Sequence, residues 1–279
     1  NFEVFILQKA QVMRLPTVTV ICLCYNQGRF VQEAIQSVMD QTYPEIELLV
    51  VDDGSTDDSV QIINQCVLWF PRIEFFPLAE NVGNCKAFNH ALARAKGKFI
   101  IDLAADDILM NVRIAEGVKA LEEAGDAYGI NFTDACWITE DGRFLYTHSD
   151  RFPHDTIPEG DIYRDLISRF FICSPTMMVR REVLDAMGGY DESLAYEDFD
   201  FWMRSSRTWL YCYTPRPLVK KRVVKNAMSQ KQFSFFSTQL RSTFRVCEKI
   251  LMLNRTREEK QALTTRILYE IRVSIRLLH

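Results

Sequence analysis

Three acidic pairs stand out for where they fall: Asp52-Asp53, Asp106-Asp107 and Glu197-Asp198. The first two follow apolar runs, Ile46 to Val51 and Lys98 to Leu103. Carboxylate oxygens are the ligands that Mg²⁺ and Mn²⁺ prefer. A carboxylate within reach of a hydroxyl can take its proton, and one beside a heterocycle can accept from a ring N–H. Each pair taken singly also has a plain structural reading. Asp52-Asp53-Gly54-Ser55-Thr56 is a good turn leading into a capped helix, and Asp106-Asp107 can cap a helix starting near Asn111. Glu197-Asp198 places acids in a first helical turn, where the helix dipole favours them. The chemistry depends on whether the chain brings the pairs together.

The order of elements says that it does. Thr17 to Cys24 (TVTVICLC) is a β-branched apolar run that ends at the turn cluster Tyr25-Asn26-Gln27-Gly28. Phe30, Ala34, Ile35, Val38 and Met39 then recur at helical spacing. A second strand (Ile46–Val51), a helix marked by Val60, Ile63, Val67 and Phe70, a short strand (Ile73–Phe76), a helix through Ala87, Ala91, Leu92 and Ala95, and a strand over Lys98–Leu103 follow. Such alternation predicts a mostly parallel sheet with right-handed crossovers. Ligands of these sheets sit at the carboxyl ends of the strands. Three polar clusters fall there, Cys24–Gln27, Asp52–Asp57 and Ala104–Asp107, and are expected to share one rim.

Beyond residue 111 the pattern is less regular. A helix is expected over Val112–Glu123, strands near Tyr128–Thr133, Trp137–Thr139 and Met177–Val179, a hairpin turn at Asp141-Gly142, and helices over Val183–Met187 and Glu197–Ser205. Residues 234–279 read as wholly helical. Apolar residues make up 48% of the 279 and charged residues 25%, enough for a substantial core. No apolar run is long enough to span a membrane. Asn1 to Leu15 carries internal charges and no small-residue cleavage site, so it does not read as a signal peptide. The eight cysteines lie mostly in apolar stretches without a C-x-x-C pair, which predicts buried, reduced thiols and a cytoplasmic setting. The four histidines show no metal-ligand spacing. Core packing is the expected role of Trp137, Trp202 and Trp209. Asp134 and Cys173-Ser174-Pro175-Thr176 fall where an acceptor site could lie, with loop or core roles equally open. The charge is unevenly spread: residues 220–279 hold 14 Lys and Arg against 4 Asp and Glu within a chain of net charge −4.

Four segments together resemble a known family. VTVICLCYNQGRFVQEAIQSVMDQTYPEIELLVVDDGSTDDS is similar to the opening of the family 2 inverting glycosyltransferases with the GT-A fold. Asn81-Val-Gly-Asn-Cys-Lys-Ala-Phe-Asn89 resembles their N-x-G-x-x-x-A-x-N, Gly97–Asp107 their segment ending in D-x-D-D, and Gly188-Gly189-Tyr190-Asp191-Glu192 with Glu197-Asp198 their G-G-(Y/F)-D-E and E-D. The motifs occur in the family's order and cover roughly residues 17–225. The resemblance implies a GT-A-like α/β fold, a mostly parallel Rossmann-type sheet flanked by helices, with a nucleotide-sugar half at 15–110, an acceptor half at 111–225 and a helical tail at 226–279. It implies that Asp52 and Asp53 hold the base and ribose with Cys24, Tyr25 and Asn26, and that Asn81 and Lys86 lie near the nucleotide or diphosphate. It implies that Asp106 holds Mn²⁺ or Mg²⁺ with Asp107 beside it, that Asp198 is the general base, and that Glu197 is its orienting neighbour.

The chain departs from the pattern at two places. Leu23-Cys24 replaces the usual Pro-Thr, where the expected contacts are largely backbone. Ala104 replaces the first Asp of D-x-D, and Asp102, two residues earlier on the same face of a regular strand, is the candidate to stand in for it. The expected activity is transfer of a sugar with inversion from a nucleotide-diphosphate sugar, a uridine one, to a glycan or lipid-linked glycan in cell-surface polysaccharide synthesis. The rival from another class is an inactive relative that only binds nucleotide or glycan, for which Ala104 is the best support. A nucleotidyltransferase would need a Gly-rich phosphate loop after the first strand, and a dehydrogenase a G-x-G-x-x-G, and neither is present. The basic tail carries apolar residues at Ile267, Ile271, Ile275 and Leu278 beside Arg266, Arg272 and Arg276, the pattern of a helix lying on the inner face of an anionic membrane. Packing of that stripe on the acidic catalytic half is the competing expectation.

Overall fold

A computed structural model describes residues 15–154, 156–224 and 238–277. Its first half follows the expected alternation. Strands β1 (Val18–Cys24), β2 (Ile46–Asp52), β3 (Glu74–Pro77) and β4 (Phe99–Ala104) are parallel and lie side by side in the order β3-β2-β1-β4. Helices α1 (Gly28–Met39), α2 (Ser59–Trp69) and α3 (Asn84–Leu92) make the crossovers. Val18, Val20, Cys22 and Cys24 pack with Val31, Ile35 and Val38 of α1 on one face. Ile21, Leu49 and Val51 meet Phe88 and Ala91 of α3 on the other. A sheet covered on both faces needs near-continuous apolar strands, which is why these runs were legible. Cys24 stands opposite Asp52 and Leu23 opposite Ala104, so the three polar strand ends lie in one row.

The second half, where the sequence pattern is less regular, is mixed rather than parallel. β4 pairs antiparallel with β8 (Met178–Arg180), and β8 antiparallel with β6 (Tyr128–Ile138). β6 then pairs parallel with β9 (Leu210–Arg222), and β9 antiparallel with the short β5 (Ile108–Leu109). β7 (Phe144–Thr147) returns on β6 as a hairpin over Asp141-Gly142, whose glycine has φ 84°. The two strands expected near Tyr128 and Trp137 are one strand. β9 has no counterpart among the expected elements, because Pro215 and Pro217 break its pattern. The register between β6 and β9 shifts at Thr133/Asp134 and again at Asp134/Ala135, and a bulged strand tolerates prolines that a regular ladder would not. Helices α4 (Arg113–Ala124), α5 (Tyr163–Ser168), α6 (Arg181–Met187) and α7 (Asp198–Ser205) cover this half.

The tail forms two helices, α8 (Thr238–Leu253) and α9 (Arg257–Leu277), separated at Asn254–Thr256, where Glu259 accepts the backbone N–H groups of Arg255 at 2.5 Å and Thr256 at 3.1 Å. The described tail residues pack on the preceding α/β part of the chain. Lys249 of α8 bridges Asp191 (2.5 Å) and Asp200 (2.7 Å), and Arg207 binds Glu259 at 2.8 Å. Arg266, expected on an open face, is 4% exposed: it lies over the Phe170 ring at 3.9 Å, donates to the Ile167 carbonyl at 3.0 Å and pairs with Glu270 at 3.1 Å. Ile267 packs inward beside it, while Leu268, Ile271 and Ile275 remain exposed. Leu278 and residues 1–14 lie outside the described residues. Among those described, no helix is long and apolar enough to cross a membrane.

One close approach fixes how β1 meets β4. The Gly97 N–H donates to Thr19 Oγ1 at 2.9 Å, and a Cβ at Gly97 would lie 2.5 Å from the Thr19 nitrogen. Neither backbone can retreat without disturbing the central ladder. Gly97→Ala is therefore expected to lower unfolding free energy by about 1–3 kcal/mol, the usual range for overpacking. Urea denaturation checks it: the midpoint should fall with the slope unchanged, and an unaltered midpoint would show that the contact is slack.

Candidate functional site

The rim begins where β1 and β2 end. Asp53 N–H donates to the Cys24 carbonyl at 2.8 Å, Asn26 N–H to Ser55 Oγ at 2.8 Å, and Thr56 N–H to Asn26 Oδ1 at 2.8 Å. Asn26 holds a left-handed backbone at φ 53°, which asparagine tolerates better than most residues. These bonds stitch the two loops together and leave the Tyr25 side chain 46% exposed above them. Gly54 has φ 69°, and any Cβ there would meet the Glu80–Asn81 backbone at 2.5–2.6 Å, so the motif's glycine lets the Asn81 segment lie against the loop.

The two aspartates of this loop do different things. Asp52 is fully buried: its Oδ2 accepts from Ser55 N–H at 2.8 Å, while Oδ1 has no partner among the described residues. A buried acceptor left open is costly unless a donor arrives. Asp53 accepts from the N–H groups of Val82 at 2.8 Å and Gly83 at 3.0 Å, and burial raises its carboxyl above the usual range. It thereby holds the turn into α3, whose first residue, Asn84, donates from Nδ2 to Glu197 Oε2 at 2.6 Å. Asn81 and Lys86 are exposed along the same edge.

At the end of β4, Asp106 and Asp107 part company. Asp107 is fully buried. Its Oδ1 accepts from Arg222 N–H at 2.9 Å and its Oδ2 from Lys221 Nζ at 3.2 Å. Arg222 clasps the turn further: Nε donates to the Asp106 carbonyl (3.0 Å), one guanidinium N–H to the Glu140 carbonyl (2.8 Å) and another to Glu33 Oε2 (2.6 Å). The Asp106 carboxylate, on a residue 8% exposed, has no hydrogen bond from another described residue. Burial first, and the Asp107 charge second, push it up to about 6. Among the described residues no three His, Cys, Asp or Glu side chains converge as a closed cation site. An open carboxylate at a strand end nonetheless fits Mg²⁺ or Mn²⁺, which keep several waters and take substrate phosphates beside one or two carboxylates.

The third pair faces these from the start of α7. Glu197 caps the helix, and Asp198 Oδ1 accepts from Phe199 N–H at 2.7 Å. Burial and then the Glu197 charge push Asp198 up to about 7. Burial likewise raises Glu197, against the Asn84 bond, which favours its charged form. Asp102 lies within reach of this group's charges. The Tyr190 hydroxyl donates to it, and burial together with the Glu197 charge raises its carboxyl well above the usual range. Tyr190 is set by stacking on Phe88, 4.1 Å between ring centroids. The other residues singled out have structural partners: Trp202 is buried, Trp137 stacks on Tyr146 at 5.5 Å, and Asp134 accepts from Ser149 Oγ at 2.6 Å. The sequence reading missed Asn84, Lys221 and Arg222. Asn84 lay inside a recognised motif, but the other two sit on the unread strand β9, signalled only by three successive basic residues at 220–222.

Comparison with known proteins gives a consistent picture. A family profile described as Glycosyl transferase family 2 matches residues 19–188, more than half of the chain. The putative teichuronic acid biosynthesis glycosyltransferase TuaG of Bacillus subtilis is 33% identical over 167 residues, 60% of this chain and 63% of TuaG, so the match spans less than two thirds of that relative. An uncharacterized glycosyltransferase of Haemophilus influenzae is 26% identical over 191 residues, 68% of this chain and 72% of its own length. Among solved structures, S. aureus TarS 1-349 in complex with UDP-GlcNAc superposes with a TM-score of 0.72 at 20% identity, covering 90% of this chain and 71% of that one. The mannosyltransferase PcManGT from Pyrobaculum calidifontis, in complex with GDP-Man and Mn²⁺, gives 0.70 at 18% identity, covering 95% and 75%. At these identities the structural likeness establishes the GT-A fold and nothing finer.

The crowded acids have a measurable cost. Asp198 titrates near 7 in the folded chain against about 3.9 unfolded. The folded state thus holds this proton more tightly, and the associated stability, complete below about pH 4, is lost as pH rises through 7. Asp198→Asn removes the charge. In metal-free buffer its melting temperature should exceed wild type by at least about 2–4 °C at pH 8, the shift that 1 kcal/mol gives in a large domain, with little difference near pH 4. Equal differences at both pH values would contradict the crowding.

Proposed function

The chain belongs to glycosyl transferase family 2, and from that premise we propose that it transfers a sugar, with inversion, from a uridine-diphosphate sugar to a hydroxyl of a glycan or lipid-linked glycan. The observation that carries the reading is the pairing, on one rim, of an open Asp106 carboxylate with a Glu197-Asp198 pair whose Asp198 titrates near 7. Residues 15–110 form the donor half and 111–225 the acceptor half. Tyr25 and the unpartnered Asp52 oxygen receive the base, the oxygen accepting from the uracil ring N–H. Asp106, with the donor's phosphates, would hold Mn²⁺ or Mg²⁺, which offsets the charge that grows on the leaving diphosphate.

Asp198 in its ionised form takes the proton of the acceptor hydroxyl. The oxygen then bonds to the anomeric carbon on the face opposite the diphosphate as the bond to the diphosphate breaks. Glu197, fixed by Asn84, orients the base and raises its affinity for the proton. An acid titrating near 7 is well matched to this step at neutral pH. The names of TuaG and the TarS complex support cell-surface polysaccharide synthesis and a UDP donor for this chain, whereas the PcManGT complex makes GDP the nucleotide to test against it.

Calorimetry and turnover test this together. UDP should bind more tightly than GDP, and more tightly with Mn²⁺ than with EDTA. Asp106→Ala should abolish the metal effect, and Asp198→Asn should leave UDP binding intact while lowering turnover at least about a hundredfold. Turnover of Asp198→Asn within threefold of wild type would remove it from the mechanism. Wild-type binding of UDP-sugar without any transfer or donor hydrolysis would favour the inactive binding relative suggested by Ala104.

The exposed face of α9 supports contact with the inner, anionic face of a membrane, where a lipid-linked acceptor would lie. Leu268, Ile271 and Ile275 share that face with Arg272 and Arg276, all exposed, and each basic group near such a surface contributes about 1 kcal/mol. Liposomes containing anionic lipid should float the protein at low salt, and Ile275→Glu with Arg272→Glu should prevent it. Absence of the wild type from the lipid fraction would end this assignment.

A further inference from the structure

Lys221 contacts the Asp106-Asp107 turn, and no motif pointed to it. It stands at the end of β9, whose pairing with β5 and β6 brings it beside the Asp106-Asp107 turn. Its neighbour Arg222 is fully occupied, with backbone and side chain bound to Asp107, Asp106, Glu140 and Glu33. Lys221 is not. Among the described residues its ammonium donates only to Asp107 Oδ2, at 3.2 Å, and the side chain is 25% exposed. An ammonium carries three N–H donors, so two remain to be directed into the site.

The reach of that charge locates it. Burial works against the ammonium, yet the charges of Asp107 and Asp106 hold it protonated well above the usual range. In turn, Lys221 favours the ionised forms of Asp106, Asp102, Glu197 and Asp198. Its contact with Asp107 fixes the ammonium beside the end of β4, and its charge reaches the carboxyls at the start of α7. On the proposed reading this is where the bond between sugar and diphosphate lies. Ala104 sharpens the point, because a methyl group replaces one carboxylate on the β4 side, leaving Asp106 as the open anion there. Among the described residues Asp107 alone offsets Lys221 by direct contact.

We propose that Lys221 is a diphosphate-binding residue, donating to the phosphate oxygens of the nucleotide and giving the site part of its hold on the donor without a metal ion. This rests on the proposed function, and it assigns to the chain's own ammonium some of the charge compensation that a cation alone would otherwise supply. Charge-assisted N–H···O bonds to phosphate are among the stronger contacts a side chain makes. Lysine delivers one as a compact point charge on a flexible stem, suited to a ligand that must leave after transfer.

Calorimetric titration of the full chain in EDTA, with UDP and with uridine as probes, tests this. Uridine lacks the phosphates, so the ratio of the two affinities reports on the diphosphate alone. Wild type should prefer UDP in EDTA. Lys221→Met, and Lys221→Gln, which keeps a donor to Asp107, should each weaken UDP at least about tenfold while changing uridine less than twofold. Lys221→Arg should restore most of the preference. A purely structural role would lower the melting temperature and weaken both probes alike, which overturns the proposal, as does an unchanged UDP-to-uridine ratio in both variants. Failure of wild type to bind uridine or UDP even with Mn²⁺ would overturn the proposed function and this inference with it. Binding with Mn²⁺ but no preference for UDP in EDTA would overturn this inference alone.

Discussion

Five carboxyl groups from two distant stretches of chain meet at one rim: Asp102, Asp106 and Asp107 from the end of β4, and Glu197 and Asp198 from the start of α7. Like charges in a partly buried space must be compensated or protonated, and both answers are visible here. Asp107 is compensated by direct contact with Lys221 and the Arg222 backbone. Asp102, Asp106, Glu197 and Asp198 have little direct compensation, and their carboxyls are raised. Burial first, and that repulsion second, push Asp198 up to about 7, the range in which a carboxylate serves as a base at neutral pH.

Much of the remaining architecture supports this crowded edge. Asp53 ties the Val82–Gly83 turn to β2, that turn presents Asn84, and Asn84 fixes Glu197, so the loop after β2 and the Glu197-Asp198 pair are joined by three hydrogen bonds. β9 supplies the basic clasp on the Asp106-Asp107 turn, and its bulges let a proline-containing strand reach that far. The C-terminal helices hold α7 from behind through Lys249–Asp200, Arg207–Glu259 and Arg266 against the Phe170 and Phe199 rings. Part of the tail's positive charge thus has a use inside the fold, pairing with acids next to the site.

A family 2 framework with Ala104 two residues before Asp106 also changes the balance of charge at the end of β4. The Asp106 carboxylate has no hydrogen-bond partner among the described residues, and Lys221 contacts its neighbour Asp107. Oxygen ligation of a divalent cation at Asp106 and direct donation from Lys221 are compatible, since phosphate groups present several oxygens to both.

The sequence by itself determined the donor half. Strands buried on both faces must be apolar along their length, and polar residues can then fall only at their ends, so β1, β2 and β4 and the acids after them were legible together with their shared rim. The four motifs carried the family, Asp106 and the Glu197-Asp198 pair. Tertiary structure decided the rest. It alone set Asp53 to holding a backbone turn rather than facing open space, and it gave Asp102 to Tyr190 and Glu197. It alone revealed β9, because a bulged strand with two prolines has neither period nor propensity to announce it. It turned Arg266 and Ile267 inward, where helical spacing could not say which way the stripe would face. The reason is common to all of these: a residue's type fixes which bonds it can make, but which partner comes within 3 Å is set by elements more than a hundred residues away, as Lys221 and Arg222 are from Asp107.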